Sequence, residues 1–333
     1  MKSSKGLHKK LTIARRSRMV DNAISFLSRA RRVVAARAML RPHPCWRIGI
    51  ERLAFNFLFM HRRILWELLK TPCVIKWFDG LRIYVYPGNE ISRAVFLTGL
   101  YEPNEFFWLN KALERGNTFI DIGANMGLYS LFAARKVGPS GLVIAIEPSS
   151  RDFERLRSHV ELNGLTNVRL LQIAASDRKG EARLLVAPDE KAGHNTLGYF
   201  GYDRVAPKAI ETVRLERVDD VVRLAGLQKV DFVKLDVEGA EFRVLQGAQD
   251  TLRLSHPTIL LELSDRTLRH QSCHSEQIWN FLTREGYRMY GFNGETGLPV
   301  PAKRKTYFDS ENLIAIHNTS EESQATPISV TET

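Results

Sequence analysis

The fold is decided by the stretch Phe119-Ile120-Asp121-Ile122-Gly123-Ala124-Asn125-Met126-Gly127. Here an apolar run ends in a glycine-bearing loop that opens onto a helical pattern. Gly123 allows a tight turn, and Gly127 allows the start of the helix to approach a ligand closely. A second strand-like run ends at Glu147, whose carboxylate can accept hydrogen bonds from both hydroxyls of a ribose. The stretch therefore predicts a site for a nucleoside-bearing cofactor.

Two residues of the loop bear on which nucleoside is bound. The dinucleotide fingerprint places three glycines, G-x-G-x-x-G, around a pyrophosphate, whereas Asn125 stands here in place of the middle glycine. Asp121 lies just before the turn, where a carboxylate repels a pyrophosphate and attracts a cationic ligand. The loop thus favours S-adenosylmethionine over a nicotinamide dinucleotide. An ordinary βα turn without a ligand is the structural alternative.

Strand-like and helical runs alternate from Asn117 onward. The strand-like runs are Thr118–Ile122, Gly141–Ile146, Val168–Ile173, Ala182–Val186, Thr212–Leu215, Val230–Leu235, Thr258–Leu263, Tyr287–Tyr290 and Asn312–His317. The helical runs are Gly127–Val137, Arg151–Leu162, Ala240–Leu252 and Ser275–Glu285. This alternation predicts an α/β fold with a doubly wound, mostly parallel sheet that binds its ligands at the carboxyl ends of the strands.

Upstream of this region the pattern changes. Two strand-like runs, Val74–Phe78 and Leu81–Tyr86, are joined by Asp79-Gly80, and this dipeptide between such runs predicts a hairpin. Helical segments follow around Ile91–Leu100 and Pro103–Arg115.

The positive charge of the chain belongs to residues 1–70. They hold 17 Lys+Arg and 3 Asp+Glu, whereas the other 263 residues hold 31 basic and 34 acidic residues. This distribution argues against a nucleic-acid partner. Helices are predicted over Val20–Ala38, which is basic and amphipathic, and over about Trp46–Leu69. We interpret this arm as a peripheral contact with an anionic membrane, with a solvated helical cap and a mitochondrial presequence as alternatives.

The cysteines and the apolar runs indicate a cytoplasmic location. Cys45, Cys73 and Cys273 stand alone, so we expect a reducing compartment with neither a disulfide framework nor a zinc site. The most apolar run, Leu53–Met60, is too short to span a bilayer, and there is no recognisable signal peptide.

From about Asn104 to Glu262 the chain resembles the FkbM family of S-adenosylmethionine-dependent methyltransferases. The motifs that carry the resemblance are Tyr101-Glu102, Asp121–Gly127, Ile146-Glu147-Pro148, Leu162-Asn163, Ala175-Ser176-Asp177 and, most specifically, Lys234-Leu235-Asp236-Val237-Glu238-Gly239-Ala240-Glu241. The resemblance implies a class I methyltransferase (Rossmann-like) fold of seven strands, one of them antiparallel near the end. It also implies O-methylation of sugar or natural-product hydroxyls.

The resemblance further implies positions for the cofactor. The methionine side would be lined by Asp121, Gly123, Asn125 and Gly127. Glu147 would bind the ribose, and Ala175, Ser176 and Asp177 would lie near the adenine. The organisation that follows is a basic helical arm (1–70), a hairpin and helical lead-in (71–115), an FkbM-type methyltransferase domain (116–318) and a disordered tail (319–333).

Carboxylates also end two later strands. Asp236 follows a mostly apolar run, where an ionised group is costly unless it meets a ligand or a partner, and Glu262 repeats this arrangement. Glu241 is explained as an acid at a helix start. Since an attacking aliphatic hydroxyl must lose its proton, a base is useful. The candidates are Asp236, Glu238, Glu262 and His194, the last in a polar loop that could cover the substrate.

The predicted function is in-line transfer of a methyl group from S-adenosylmethionine to a hydroxyl of a sugar, polysaccharide or natural-product scaffold, with assistance from a carboxylate base. N-methylation and a non-catalytic nucleoside-binding module are the alternatives, and an NAD-dependent oxidoreductase is a weaker one. No metal is predicted, although Asp236, Glu262 and His194 could hold a divalent ion. The acceptor and the oligomeric state are left open by the sequence.

Overall fold

The computed structural model describes residues 49–200, 206–294 and 296–319, with side chains from Phe59 onward. The chain divides into two compact units. One extends to Tyr101 and includes residues 294–296; the other comprises Glu102–Asn293 and the chain from Gly297. The predicted helix over Val20–Ala38 lies outside the described residues, as does the tail after Thr319. The boundaries predicted at residues 70, 115 and 318 stay predictions.

Between residue 49 and Tyr101, the described part of the smaller unit contains two helices and a hairpin. Its elements are α1 (Gly49–Leu68), β1 (Cys73–Lys76), β2 (Arg82–Val85) and α2 (Glu90–Thr98). The hairpin is confirmed, because β1 and β2 pair antiparallel with Lys76 opposite Arg82. Asp79 and Gly80 both have positive φ, 44° and 81°, in a short turn over Phe78–Gly80.

The larger unit is built around one sheet of eight strands. Its strands are β3 (Thr118–Ile122), β4 (Leu142–Ile146), β5 (Val168–Leu171), β9 (Phe232–Leu235), β10 (Thr258–Leu263), β11 (Tyr287–Phe292), β12 (Pro299–Pro301) and β13 (Glu311–His317). They lie in the order β12-β11-β13-β10-β9-β3-β4-β5. The five strands from β10 to β5 are parallel, and β13 is antiparallel to both of its neighbours. This arrangement confirms the predicted Rossmann-like class.

Seven of these strands are those of the predicted class I arrangement, and β12 adds an eighth. The extra strand is short and pairs with β11 at the edge of the sheet. The order changes direction between β3 and β9, which come from distant parts of the sequence. Such a switch point opens a crevice at the carboxyl ends of the strands, so the residues that follow β3, β4, β9 and β10 face a common site.

A second, smaller sheet carries the remaining strands. It has the order β6-β8-β7, with β6 at Ala174–Ala175, β7 at Gly180–Val186 and β8 at Ala209–Glu216. The strand predicted over Val168–Ile173 is therefore shorter than expected, since the chain leaves the main sheet after Leu171 and forms β6 instead.

The helices of the larger unit are α3 (Pro103–Ala112), α4 (Leu128–Val137), α5 (Ser150–Leu162), α6 (Val218–Leu224), α7 (Glu241–Gln246), α8 (Gln249–Ser255), α9 (Asp265–Leu268) and α10 (Ser275–Arg284). The continuous helix predicted over Ala240–Leu252 is wrong, because the chain breaks between α7 and α8. At the break, a Cβ on Gly247 would lie 1.9 Å from the carbonyl oxygen of Ser176. The backbone at Gly247 therefore lies closer to the backbone of Ser176 than a residue with a side chain would allow.

The core explains why the central strands are apolar throughout. All four residues of β9 are buried, and four of the five in β3 and in β4. Strands that are covered on both faces show such continuous burial rather than alternation. Within the described residues, no helix has the length and apolarity needed to cross a membrane.

Candidate active site

The loop after β3 is fixed by hydrogen bonds to β4 and to Glu147. The backbone amides of Gly123 and Ala124 donate to the carbonyl of Ile146, at 3.0 and 2.9 Å. The amide of Asn125 donates to Oε2 of Glu147 at 2.8 Å, and the amide of Ser149 donates to Oε1 of the same carboxylate at 2.9 Å. Glu147 is buried. The two strand ends therefore hold each other in place through a carboxylate.

The pKa of the Glu147 carboxyl lies well above its ordinary value. Burial raises the pKa of its carboxyl to about 8, and the negative charge of Asp152 adds to the effect. The two backbone hydrogen bonds and Arg151 oppose this shift. The Glu147 carboxyl therefore releases its proton at a higher pH than an ordinary glutamate does.

The glycines of the loop serve backbone packing. A Cβ on Gly123, which has a φ of 79°, would lie 1.8 Å from the carbonyl oxygen of Asp236. A Cβ on Gly127 would lie 2.4 Å from Cδ1 of Leu156 in α5. We expected Gly127 to permit a close approach by a ligand, and the structure shows it beside a core leucine. Gly123 joins the loop after β3 directly to the end of β9.

Asp121 lies in the floor of the crevice. Its Oδ2 accepts a hydrogen bond of 2.5 Å from the hydroxyl of Ser130, and it is paired with Lys234 across β3 and β9. Its Oδ1 is buried and has no hydrogen-bond partner among the described residues. Burial raises the pKa of Asp121, and the positive charge of Lys234 opposes that effect.

Three carboxylates meet where β9 and β10 end. Oxygen atoms of Asp236, Glu238 and Glu262 all lie within 4.8 Å of one another. Glu262 accepts a hydrogen bond from the hydroxyl of Ser310. Burial, with the charges of Asp236 and Glu238, raises the pKa of Glu262 well above its usual value. A proton on Glu262 would relieve the repulsion among the three carboxylates.

These three carboxylates could hold a hard divalent cation, since such ions prefer oxygen ligands. The sequence grouped His194 with Asp236 and Glu262, whereas the structure groups Glu238 with these two carboxylates and places Nδ1 of His194 beside Glu238. The absence of a metal stays a prediction.

Lys234 neutralises the crevice, and sequence reasoning gave it no role. Its ammonium lies 2.9 Å from Oδ2 of Asp236 and 4.8 Å from the ring centroid of Tyr129. Burial lowers the pKa of Lys234, but the charges of Asp236, Asp121 and Glu102 outweigh this and raise it above its ordinary value. The signal in the sequence was a lysine within the otherwise apolar strand β9, which calls for a buried partner.

Glu102 is the third carboxylate whose charge acts on Lys234, with Asp236 and Asp121. It accepts hydrogen bonds from the hydroxyl of Tyr129 at 2.6 Å and from the side-chain amide of Asn312 at 3.1 Å. Burial raises the pKa of Glu102 to about 7. Asn312 also donates to Glu105 at 3.0 Å. The Tyr101-Glu102 motif thus supplies an acid that contacts the far end of the chain.

The loop that contains His194 bridges the two strand ends. The side-chain amide of Asn125 donates to the carbonyl of Ala192 at 2.8 Å, and Nδ1 of His194 lies 2.7 Å from Oε1 of Glu238. Asn195 donates to the buried Asp152 at 2.7 Å. The loop is therefore anchored to the loop after β3, to the acidic cluster and to α5, and it places His194 beside Glu238.

Two buried side chains support the loops from behind. Nδ1 of His159 in α5 lies 2.7 Å from the carbonyl of Met126. Oε1 of Glu241 accepts hydrogen bonds from the amides of Val237 and Gly239, both at 3.1 Å. Glu241 thus begins α7 and ties the turn after β9, in agreement with the structural interpretation.

Of the three residues predicted near the adenine, Ala175 ends β6 of the small sheet, and Ser176 and Asp177 follow that strand. Ala175 pairs with Glu216 of β8, and the hydroxyl of Ser176 donates to Asp177 at 2.9 Å. Both Ala175 and Ser176 are buried. Their hydrogen bonds are to each other and to β8, so a role toward the adenine stays a prediction.

The crevice fits a cationic nucleoside. An ionised carboxylate offers about four acceptor positions. The two amides use two of those on Glu147, which leaves others for ribose hydroxyls. The buried and unpaired Oδ1 of Asp121 lies beneath the same loop, where a positive group would be attracted. The residues present are therefore compatible with S-adenosylmethionine.

Comparison with known proteins agrees with this geometry. A family profile described as "Methyltransferase FkbM domain" matches residues 121–289, about half of the chain. The chain is 33% identical over 161 residues to the methyltransferase sdnD of Sordaria araneosa, covering 40% of this chain and 61% of that protein.

Two further relatives have names that specify an oxygen acceptor. The 31-O-demethyl-FK506 methyltransferase FkbM of Streptomyces tacrolimicus is 30% identical, over 41% of this chain and 62% of that protein. The 2-O-methyltransferase NoeI of Sinorhizobium fredii is 31% identical, over 45% of this chain and 64% of that protein. The chain thus spans a little under two thirds of the length of these relatives.

Proposed function

The chain belongs to the FkbM methyltransferase family, and from this membership we propose that it transfers the methyl group of S-adenosylmethionine to a hydroxyl of a small-molecule or glycan acceptor. The observation that carries the proposal is the contact between Gly123 and the carbonyl of Asp236. It sets a cluster of carboxylates directly beside the nucleoside loop. The names of two relatives, a 31-O-demethyl and a 2-O-methyltransferase, support oxygen as the acceptor atom.

The loop after β3 binds the cofactor. Asp121, Gly123, Asn125 and Gly127 line its methionine side, and Glu147 accepts hydrogen bonds from the ribose hydroxyls. Ala175, Ser176 and Asp177 form the adenine side. When bound, S-adenosylmethionine supplies a methyl group that is activated by a positively charged sulfur.

Asp236 accepts the proton of the acceptor hydroxyl. The Lys234 ammonium lies 2.9 Å from Oδ2 of Asp236 and holds the direction of this carboxylate through a charge-assisted hydrogen bond. Base assistance of this kind is worth roughly 10²–10⁴-fold in rate. Holding the hydroxyl in line at near-attack distance supplies on the order of 7–11 kcal/mol.

Glu262, Glu238 and His194 position the acceptor. Because the pKa of Glu262 is raised by burial and by its acidic neighbours, its protonated carboxyl can donate a hydrogen bond to an acceptor oxygen. Glu238 orients His194 through the 2.7 Å contact, and the loop that carries His194 closes one side of the site.

Binding and turnover test the proposal separately. Calorimetric titration of the full chain with S-adenosylmethionine should show saturable binding, and titration with NAD should show none. Glu147→Ala should weaken binding strongly, and the exposed Glu154→Ala should not. Saturable binding of NAD without binding of S-adenosylmethionine would overturn the assignment of the cofactor.

The acceptor is tested by mass spectrometry of glycans and metabolites from cells with and without the protein. We expect products heavier by one CH₂ unit whose new methyl is an ether. A new N-methyl group would make nitrogen the acceptor. Cofactor binding without any methylated product would identify a binding module instead.

A further inference from the structure

Helix α1 has apolar side chains on two opposite sides. On one side Trp66 is buried, with its ring 5.4 Å from that of Phe96, and the guanidinium of Arg62 donates to the carbonyl of Leu97 at 3.1 Å. This side packs against α2. On the other side Met60, Ile64 and Leu68 are 52%, 57% and 67% exposed. Their spacing of four residues places them along one face of the helix.

This row of exposed side chains, which we call the α1 stripe (Met60, Ile64 and Leu68), differs from the rest of the described surface. The other large exposed apolar residues are Val74, Tyr199, Ile210, Leu224, Leu254, Val300 and Tyr307. Single exposed apolar side chains are normal on proteins. A row of them on successive turns of one helix indicates a surface that binds something.

Charge identifies what the stripe binds. Arg63 and Lys70 are exposed within the same span, together with one exposed acid, Glu67. Residues 1–70 as a whole hold 17 basic and 3 acidic residues. A nucleic acid would satisfy the charge but not the apolar stripe, and an apolar groove on another protein would satisfy the stripe but not the charge. The boundary between anionic headgroups and acyl chains satisfies both.

We propose that α1 lies in the plane of an anionic membrane surface, with Met60, Ile64 and Leu68 inserted among the acyl chains and the exposed Arg63 and Lys70 on the headgroups. The interaction is peripheral. It is independent of the proposed methyl transfer, because it uses residues outside the candidate active site.

Co-sedimentation of the full chain with lipid vesicles tests the proposal. One set of vesicles is phosphatidylcholine with about one third phosphatidylglycerol, and the other is pure phosphatidylcholine. We expect binding to the anionic vesicles, little binding to the neutral ones, and a marked loss at high salt because screening weakens the attraction to headgroups.

Three variants separate the apolar contribution to vesicle binding from the electrostatic contribution. The triple variant Met60→Ser, Ile64→Ser, Leu68→Ser should lower partitioning onto anionic vesicles by about tenfold or more, since the buried apolar area is lost. Arg63→Glu with Lys70→Glu should lower it through charge, with the stripe intact. The matched control is Leu224→Ser with Leu254→Ser, two leucines that are 76% and 82% exposed elsewhere, and it should bind as the unsubstituted chain does.

Several results would overturn the proposal. They are equal binding to neutral and anionic vesicles, no binding to either, or undiminished binding of either the triple or the charge variant. Light scattering tests a second copy as the occupant. A dimer of the unsubstituted chain that becomes a monomer in the triple variant would show that the stripe is a subunit interface. Should the triple variant fail to fold, the charge variant decides the outcome.

Discussion

The two strand ends of the candidate active site hold their carboxylates in different ways. At the ends of β3 and β4, Glu147 accepts hydrogen bonds from two backbone amides, so the fold itself fixes it. At the ends of β9 and β10, Asp236 faces the Lys234 ammonium and Glu238 faces His194. Backbone partners cannot move away, whereas side-chain partners can adjust to a proton or a substrate. This difference supports the proposal that the first strand end binds the cofactor and the second takes part in proton transfer.

Replacing Lys234 should have the largest effect on the free energy of unfolding, because its ammonium balances the negative charge of the buried carboxylates around it. Lys234→Met leaves Asp121, Asp236 and Glu102 without their shared positive neighbour. Loss of one partner of a buried ion pair costs about 3–5 kcal/mol. We expect a loss of that size in the free energy of unfolding, measured by denaturant titration at neutral pH.

Lys229 provides the matched control. It also pairs with an aspartate two residues later, Asp231, at 2.7 Å, but its side chain is 69% exposed. Lys229→Met should cost at most about 1 kcal/mol. The loss in Lys234→Met should shrink as the pH falls, because burial raises the pKa of Asp121 and of Glu102 and protonation of these two carboxyls favours the folded state. Equal losses in the two variants would show that Lys234 does not balance the site.

Gly123→Ala probes the backbone contact that joins the two strand ends. The new Cβ would meet the Asp236 carbonyl at 1.8 Å at a residue with a φ of 79°, so the backbone must shift. The expected cost is about 3 kcal/mol, from overpacking and from the left-handed conformation together. Thermal and denaturant unfolding measure it.

Gly164→Ala is the control for the backbone conformation alone. Gly164 has a φ of 60° and no atom within 4 Å of an added Cβ, so the expected cost is about 1–2 kcal/mol. If Gly123→Ala were no worse than this control, the contact between the loop and β9 would not be tight.

Asp236→Asn separates chemistry from binding. Loss of the base should lower kcat by about 100-fold, equivalent to about 2.7 kcal/mol. The affinity for S-adenosylmethionine should stay unchanged, because the cofactor is held at the other strand end. Steady-state kinetics and calorimetry provide the two readouts, with the exposed Asp250→Asn as control. Full turnover in Asp236→Asn would rule this residue out as the base.

Glu147 should give the smallest effect, a dependence of cofactor binding on pH. Burial raises its pKa to about 8, and ribose hydroxyls donate best to the ionised form. Affinity for S-adenosylmethionine should therefore rise by about tenfold from about pH 6.5 to about pH 8.5. In Glu147→Gln this dependence should disappear, while Glu154→Gln should retain it. A pH-independent affinity of the unsubstituted chain would contradict the assignment.

The sequence predicted the central elements well because their patterns are local. Buried runs such as Thr258–Leu263 and the glycine loop after β3 show their structure in a few neighbouring residues. The hairpin was equally clear, since Asp79-Gly80 must adopt positive φ. In these places local propensity and the overall fold agree.

What the sequence did not predict depends on contacts between distant segments. Asn312 and Glu102 lie 210 residues apart in the chain, and no local pattern brings them together. The support of Met126 by His159 depends on how α5 packs, and the break before α8 depends on the approach of Ser176 to Gly247. The grouping of Lys234 with its carboxylates arises only once β3 and β9 are neighbours.

The contact between Gly123 and β9 has a consequence for redesign of the enzyme. A side chain at position 123 would clash with the carbonyl oxygen of Asp236. Variant libraries designed to change the methyl acceptor should therefore leave this residue as glycine. The loop that contains His194 is anchored through Ala192, His194, Asn195 and Thr196. Diversity introduced outside these anchors, at the exposed Glu190 and Tyr199, would leave those contacts in place.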